Sequence, residues 1–211
     1  APTVTAPKPG HVLVQAPAKT ITSAQIAARC RAAYTALESY RGTSTVTSRS
    51  MPVAGGTTSE YHTSVNIEFV RPGRIHAEGT DVFGHPFAFV SDGVGTAYQA
   101  NKDVWKTLPN IALAMGAVTG SAQNAATTVP ALLLTSSLVT DTLALTGSFW
   151  IDEKTFLLRR HVLDAQTAAT SFVIAGSKHD MPATKSREDQ RFTNERLNEA
   201  IPDSAFTLPP S

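Results

Sequence analysis

Apolar residues recur at helical spacing in one segment near the start of the chain. Over residues 22–41 the spacing gives a single stripe, made of Ile26, Cys30, Ala33, Leu37 and Tyr40, with Tyr34 alongside. Thr22 and Gln25 have the spacing of a capping box, and Gly42 supplies a left-handed stop. The pattern predicts an amphipathic helix whose stripe packs against an apolar partner, with Cys30 as a small buried hydrophobe rather than a reactive thiol.

After Gly42 the period changes from helical to two residues. The clearest alternation runs through residues 61–69, where apolar and polar side chains exchange places at every step. Arg71-Pro72-Gly73 and Asp92-Gly93 are turn signals between this run and its neighbours. Strands are predicted at residues 43–50, 61–69, 75–77, 87–89 and 96–100. Because one face is apolar and the other polar, they form an antiparallel meander.

A segment with almost no charge follows the meander. Between Lys106 and Asp152 the only charged residue is Asp141. Two segments here, residues 109–119 and 128–139, are predicted to form short helices. In the second segment the first helical residue is predicted to be Pro130, since proline is favoured at that position. They are too short and too polar to enter a bilayer, so we expect them to lie against an apolar concavity of the protein itself.

Alternating runs return in the last third of the chain. Strands are predicted at residues 149–152, 155–164, 171–175 and 205–208, with a turn at Glu153-Lys154. The charged run over residues 185–191 is predicted to be a loop. The whole pattern predicts an α+β fold with one continuous antiparallel sheet.

Composition narrows the possible functions. The chain has 211 residues and a formal net charge of +1, which gives no reason to expect nucleic acid as a partner. One cysteine excludes an internal disulfide and any multi-cysteine metal site. Residues 1–20 hold four prolines and are predicted to form a tail or tether. Such a segment is expected either where a signal peptide has been removed or between a lipid anchor and a folded domain. Residues 21–211 are predicted to form a single domain.

No catalytic constellation is found, and no catalytic residue, metal site or cofactor is predicted. The six histidines form no H-E-x-x-H motif, and no G-x-S-x-G elbow occurs. Gly93-Val94-Gly95 precedes a strand rather than a helix, so it lacks a phosphate-binding helix N-terminus. One enzymatic alternative stays open: His62 and His76 lie on predicted neighbouring strands and could meet around a metal with Glu78.

Five short motifs occur in an order that resembles the lipoprotein-carrier fold of LolA, LolB and related outer-membrane lipoprotein-sorting proteins. They are the helix end at residues 37–42, Arg71-Pro72, Asp92-Gly93, Trp150-Ile151-Asp152 and the closing segment 201–210. The resemblance that they carry extends over most of residues 22–210. One departure concerns the further strand that relatives place before Trp150: here either that strand is shortened to residues 142–146 or a loop is missing.

The resemblance implies a strongly curved antiparallel sheet, a half-open β-barrel wrapped around the N-terminal helix and short lid helices. It also implies an apolar cavity for acyl chains and a latch at the Arg-Pro step, where Arg71 stands; a surface arginine at a strand end is the alternative. The expected lining is the apolar strand face together with residues of the lid: Val65, Ile67, Phe69, Phe87, Phe89, Trp150, Leu113, Met115, Leu132, Leu133 and Leu134.

The resulting hypothesis is a bacterial carrier without enzymatic activity, exported to the periplasm or outer envelope. Its partners would be a lipid or the acyl chain of a lipoprotein, and an envelope membrane protein; we expect a monomer without cofactor or nucleic acid. The alternative is an envelope sensor or protein-interaction module of the same fold, with a filled core and no ligand.

Overall fold

The computed structural model describes residues 21–134, 147–174 and 177–210. The predicted tail over residues 1–20 and the predicted strand over residues 142–146 lie outside these ranges. Within them, eleven strands and three α-helices are described.

Helix α1 spans Ser23–Thr35 and begins at the predicted capping box. The Oγ1 atom of Thr22 accepts from the backbone N–H of Gln25 at 3.2 Å, and Oε1 of Gln25 accepts from the N–H of Thr22 at 2.9 Å. The helix ends six residues before the predicted residue 41. Gly42 is therefore not a helix stop: it lies in the first strand, where the ring of Tyr40 occupies the space that a Cβ would need.

Nine of the strands form one open antiparallel sheet, in the order β6-β5-β4-β3-β2-β1-β11-β8-β7. Its edges, β6 and β7, are not paired with each other. The strands are β1 (Ser39–Pro52), β2 (Ser59–Val70), β3 (Arg74–Thr80), β4 (Pro86–Ser91), β5 (Thr96–Ala100), β6 (Lys106–Leu108), β7 (Ser148–Ile151), β8 (Leu158–Thr167) and β11 (Thr184–Leu197). A separate hairpin contains β9 (Thr170–Ile174) and β10 (Ser177–Met181).

The meander β1–β5 confirms the period-two prediction, whereas two predictions near the C-terminus are wrong. The charged run 185–191 is not a loop but the first half of β11, which pairs with β1 on one side and β8 on the other. Residues 205–208 are not a strand: Asp203–Phe206 forms a 3-10 turn that buries Phe206 under the guanidinium of Arg74, 5.1 Å from the ring centroid.

The predicted short helices are present, with changed boundaries. Helix α2 spans Ile111–Ala122, and the side chain of Asn110 accepts from the N–H of Leu113 at 3.0 Å at its start. A 3-10 turn, Gln123–Ala126, leads into helix α3, Thr128–Leu133. None of the helices in the described ranges combines the length and apolar character needed to cross a bilayer.

The helices contact the inner face of the sheet at several points. Helix α2 packs on β4, β5 and β6, the 3-10 turn packs on β1 and β2, and α1 packs on α3. A buried polar network ties this layer to the sheet: Nε2 of Gln190 donates to Oγ of Ser44 and to the carbonyl of Asn124, both at 2.9 Å. Its Oε1 accepts from Oγ1 of Thr128 at 2.9 Å. The fold is therefore α+β, an open antiparallel sheet around short helices, as predicted.

Candidate ligand-binding groove

A half-open apolar groove lies between α1, α3 and the strands β7 and β8. Its volume is about 550 Å³. Most of its surface belongs to aliphatic and aromatic side chains. The lining residues are Ser23, Ala24, Ile26, Ala27, Cys30, Arg31, Leu132, Gly147, Phe149, Ile151 and Leu158.

Local sequence explains why these side chains meet in the groove. On α1, Ile26, Ala27 and Cys30 share one face because positions three and four residues apart lie together on a helix. On β7, Phe149 and Ile151 point to the same side because successive side chains alternate between faces. The ring of Phe149 is held by stacking on His161, with centroids 4.4 Å apart. Small alanine side chains on α1 leave space opposite these larger groups.

The thiol of Cys30 lies in the apolar lining of the groove. Cys30 is buried, and this burial raises the pKa of its thiol to about 11, although the nearby charge of Arg31 acts in the opposite direction. At neutral pH the thiol is therefore protonated and a poor nucleophile. This agrees with the prediction of a small buried hydrophobe.

Most of the predicted lining residues lie in the packed interior beneath β2, β3 and β4, which we call the packed core. Val65, Phe69 and Phe89 have no exposed surface, and Leu133 of α3 has none either. These side chains belong to one contiguous cluster, together with Ile67, Phe87, Met115, Leu132 and Leu134. Of the predicted lining set, Leu132 also borders the groove.

Two predicted lining residues do not face the interior. Trp150 is 45% exposed, because it alternates with Phe149 and Ile151 and so lies on the outer face of β7. There the guanidinium of Arg160 lies over its ring, 4.6 Å from the centroid. Leu113 is 52% exposed, whereas its neighbours Ala114 and Met115 on α2 are buried.

Arg71 joins the end of β2 to two helices. Its guanidinium donates to three carbonyls: that of Leu37 at 2.7 Å, that of Tyr34 at 2.9 Å and that of Leu133 at 3.4 Å. The first two belong to the C-terminal end of α1 and the residues after it, and the third is the last residue of α3. Carbonyls at helix ends lack intrahelical donors, so a cation there satisfies them.

The proposed meeting of His62 and His76 does not occur. Glu68 of β2 lies opposite His76 of β3, and His62 is six residues further along β2, roughly 20 Å away. His62 contacts Glu60 at 3.2 Å, while His76 lies 3.8 Å from Glu68 and 3.9 Å from Glu78. Within the described ranges, no cluster of three or more His, Cys, Asp or Glu side chains is placed to hold a metal ion.

The sequence analysis did not predict that residues of α1, or Phe149 and Ile151 of β7, line a cavity. Two signals were available: the stripe of α1 begins at Ile26, well before the residues that enter the packed core, and Phe149 and Ile151 alternate with Trp150. Neither signal reveals that the two segments are neighbours, since α1 ends at Thr35 and β7 begins only at Ser148.

No protein-family model matches this chain, and no curated protein matches it. Among solved structures, the chain is similar to a LolA superfamily protein from Nitrosomonas europaea, at 9% identity and a TM-score of 0.36, over 90% of this chain and 99% of that one. It is also similar to a DUF1329 family protein from Desulfovibrio piger, at 11% identity and a TM-score of 0.39, over 86% and 94% of the two chains.

Proposed function

We propose that this protein is a non-enzymatic binding or carrier protein of the bacterial cell envelope that holds an acyl chain in the groove between α1, α3, β7 and β8. The observation that carries the proposal is the groove itself. Its volume of about 550 Å³ lies within the range of roughly 300–1,000 Å³ that is usual for small-molecule sites. Its lining is mainly apolar, as an acyl chain requires.

Burial of hydrocarbon supplies the driving force. Each methylene removed from water contributes about 0.8 kcal/mol, so ten enclosed methylenes contribute about 8 kcal/mol before the costs of association and ordering. Those costs take up several kcal/mol. We therefore expect affinities in the micromolar range or weaker for single-chain ligands, unless the site opens further.

Arg71 is proposed as the latch of this site. Its bond to the Leu133 carbonyl holds the end of α3, and α3 contributes Leu132 to the groove and Leu133 to the packed core. Release of that bond would free α3 and bring Leu133, Phe69 and Phe89 into contact with a longer ligand. On this proposal the predicted lining residues of the packed core belong to an open, loaded form.

The proposed location is the periplasm or outer envelope, and the proposed cargo is a lipid or the acyl chain of a lipoprotein. The order of the Arg-Pro, Asp-Gly and Trp-Ile-Asp motifs supports both, as does the prediction of a proline-rich tether over residues 1–20.

Binding is tested by a fluorescent fatty acid and by mass spectrometry of an organic-solvent extract of the purified protein. Ala27→Trp fills the groove and is expected to abolish uptake of the probe. Ala28→Trp is the matched control, because Ala28 is exposed and does not line the groove. Retained binding in Ala27→Trp, or the absence of lipid in the extract and of any probe binding to the wild-type protein, contradicts the proposal.

Cys30 provides a second measurement, since it is the chain's single cysteine and lines the groove. A bound acyl chain is expected to slow modification of the thiol by a small uncharged thiol reagent. Unchanged labelling rates at saturating ligand would place the ligand elsewhere.

A second candidate function is an envelope sensor or protein-interaction module without a lipid ligand. The close packing of Val65, Phe69 and Phe89 against α2 and α3 favours it, because these residues leave no exposed surface for a ligand in this form. A specific protein partner, together with a protein that neither contains nor binds lipid, is the result expected for this alternative.

A further inference from the structure

One charged side chain, Arg31, borders the groove. It lies on α1 next to Cys30 and is the single charged residue among the described groove-lining residues. No described carboxylate forms an ion pair with it, whereas most arginines of the sheet are paired, for example Arg41 with Glu68 at 2.7 Å and Arg160 with Asp189. Within the described ranges, the groove therefore combines apolar walls with one cation that no carboxylate pairs with.

We propose that the groove selects amphiphiles with an anionic head group, and that the guanidinium of Arg31 binds the carboxylate or phosphate of that group while the acyl chain lies against the apolar walls. This inference rests on the proposed function. A guanidinium suits either anion, because its planar array of donors matches two oxygens at once.

The neighbouring Arg29 shows that the position of Arg31 is specific. Both arginines are exposed residues of α1, two positions apart. Arg29 does not line the groove: its guanidinium lies over the ring of Phe156, 5.2 Å from the centroid. Arg31 instead lines the groove, and its charge lowers the pKa of the adjacent Cys30 thiol against the larger effect of burial.

The test compares the affinities of the full chain for three ligands. They are palmitate, a lysophospholipid with a single phosphate, and uncharged monopalmitoylglycerol, and each is kept below its critical micelle concentration. We expect the wild-type protein to bind at least one anionic ligand about fivefold more tightly than the uncharged one, since a solvent-accessible ion pair gives a modest gain. Palmitate and the lysophospholipid distinguish a free carboxylate from a lipid phosphate as the preferred head group. The preference should fall as salt is raised.

Arg31→Gln is expected to remove the preference while leaving the affinity for monopalmitoylglycerol within about twofold. Arg31→Lys should restore part of it. Arg29→Gln is the matched control, because it changes the net charge equally, and it should keep the wild-type preference.

The outcomes separate the two proposals. Equal binding of charged and uncharged ligands by the wild-type protein, or an unchanged preference in Arg31→Gln, overturns the role of Arg31 and leaves acyl-chain binding in place. No binding of any ligand overturns both. Binding that appears only after deletion of residues 1–20 would assign the groove to the chain's own tail and also overturn the inference.

Discussion

The packed core and the groove are both built from apolar residues, yet only one of them is filled. Beneath β2–β4, large side chains such as Phe69 and Phe89 interlock with α2 and α3 and have no exposed surface. Between α1 and β7, Ala24 and Ala27 face Phe149 and Ile151, and about 550 Å³ of space remains. Hydrophobicity alone therefore does not distinguish a core from a site; the sizes of the facing side chains do.

The largest expected effect is on the free energy of unfolding, and it should differ between two isoleucines, one in each region. Ile67→Ala removes a side chain that is 1% exposed in the packed core and should lower the free energy of unfolding by about 2–5 kcal/mol. Ile151→Ala lies in the groove, where part of the side chain already faces open space, and should cost less than half as much. Urea unfolding measures both.

Fatty-acid binding by the same pair sharpens the comparison. Ile151→Ala should weaken binding of a short-chain fatty acid that the groove alone accommodates, while Ile67→Ala, if folded, should leave that affinity unchanged. Equal losses of stability and equal affinities in the two variants would remove the distinction between core and groove.

Arg71 connects the two regions, and its loss should be the next largest effect. Arg71→Ala leaves the carbonyls of Leu37, Tyr34 and Leu133 without this donor and should destabilise the protein by about 1.5–3 kcal/mol. The amides of α3 should then exchange faster with solvent deuterium. Arg49→Ala, which removes an arginine from an exposed ion pair with Glu60, is the control and should change little. Unaltered exchange in α3 would contradict the role of Arg71 as a latch.

A smaller effect is expected at the start of the groove wall. Thr22→Ala removes the side-chain acceptor for the N–H of Gln25 and should cost about 1 kcal/mol. Fraying of the first turn of α1 moves Ile26 and should weaken acyl-chain binding by severalfold at most. Thr22→Ser keeps the hydroxyl and should behave like the wild-type protein. A loss of stability of the same size in Thr22→Ser would show that the cap is not the cause.

The smallest expected effect is on acid stability, at the outer face of β8 and β11. The hydrogen bonds from Arg160 hold the pKa of the Asp189 carboxyl below its ordinary value. The stabilisation that ionised Asp189 contributes is therefore complete above the unfolded-state pKa of an aspartate, about 3.9. It is lost as the pH falls through the lower pKa that Asp189 has in the folded protein.

Asp189→Asn should accordingly reduce the dependence of unfolding free energy on pH between roughly 5 and 2, by less than about 1 kcal/mol. Asp164→Asn, in the neighbouring ion pair with Arg187, controls for the change in net charge. An identical pH dependence in wild type and Asp189→Asn would contradict this assignment.

Local sequence patterns correctly predicted the helices, strands and turns that depend on interactions between residues close together in sequence. The alternation through residues 61–69, the capping box at Thr22 and the turn at Asp92-Gly93 depend on near neighbours in sequence, and all three are present. The charged run 185–191 was mistaken for a loop because its partners are remote. The buried side chain of Gln190 forms hydrogen bonds with Ser44 and Thr128, which lie 146 and 62 residues away in sequence.

The candidate site was harder to predict for the same reason. Trp150 was assigned to the apolar strand face, but the side of the sheet to which a strand residue points is set by register, and in the structure Trp150 lies on the outer face beside Arg160. Leu113 is likewise exposed, since the pattern of α2 does not show which side meets the sheet. The groove requires the proximity of α1 and β7, which no local pattern encodes.

The position of β11 has a consequence for how the molecule is made. Tyr40 pairs with Leu197, so the strand beside β1 is supplied by nearly the last part of the described chain to leave the ribosome. Until then the edge of β1 that faces β11 has no strand partner. Pairings this distant in sequence form slowly. Of the described strands of this sheet, the one that joins β1 to β8 is therefore the last to be synthesised, and the two parts of the sheet stay unjoined until β11 is available.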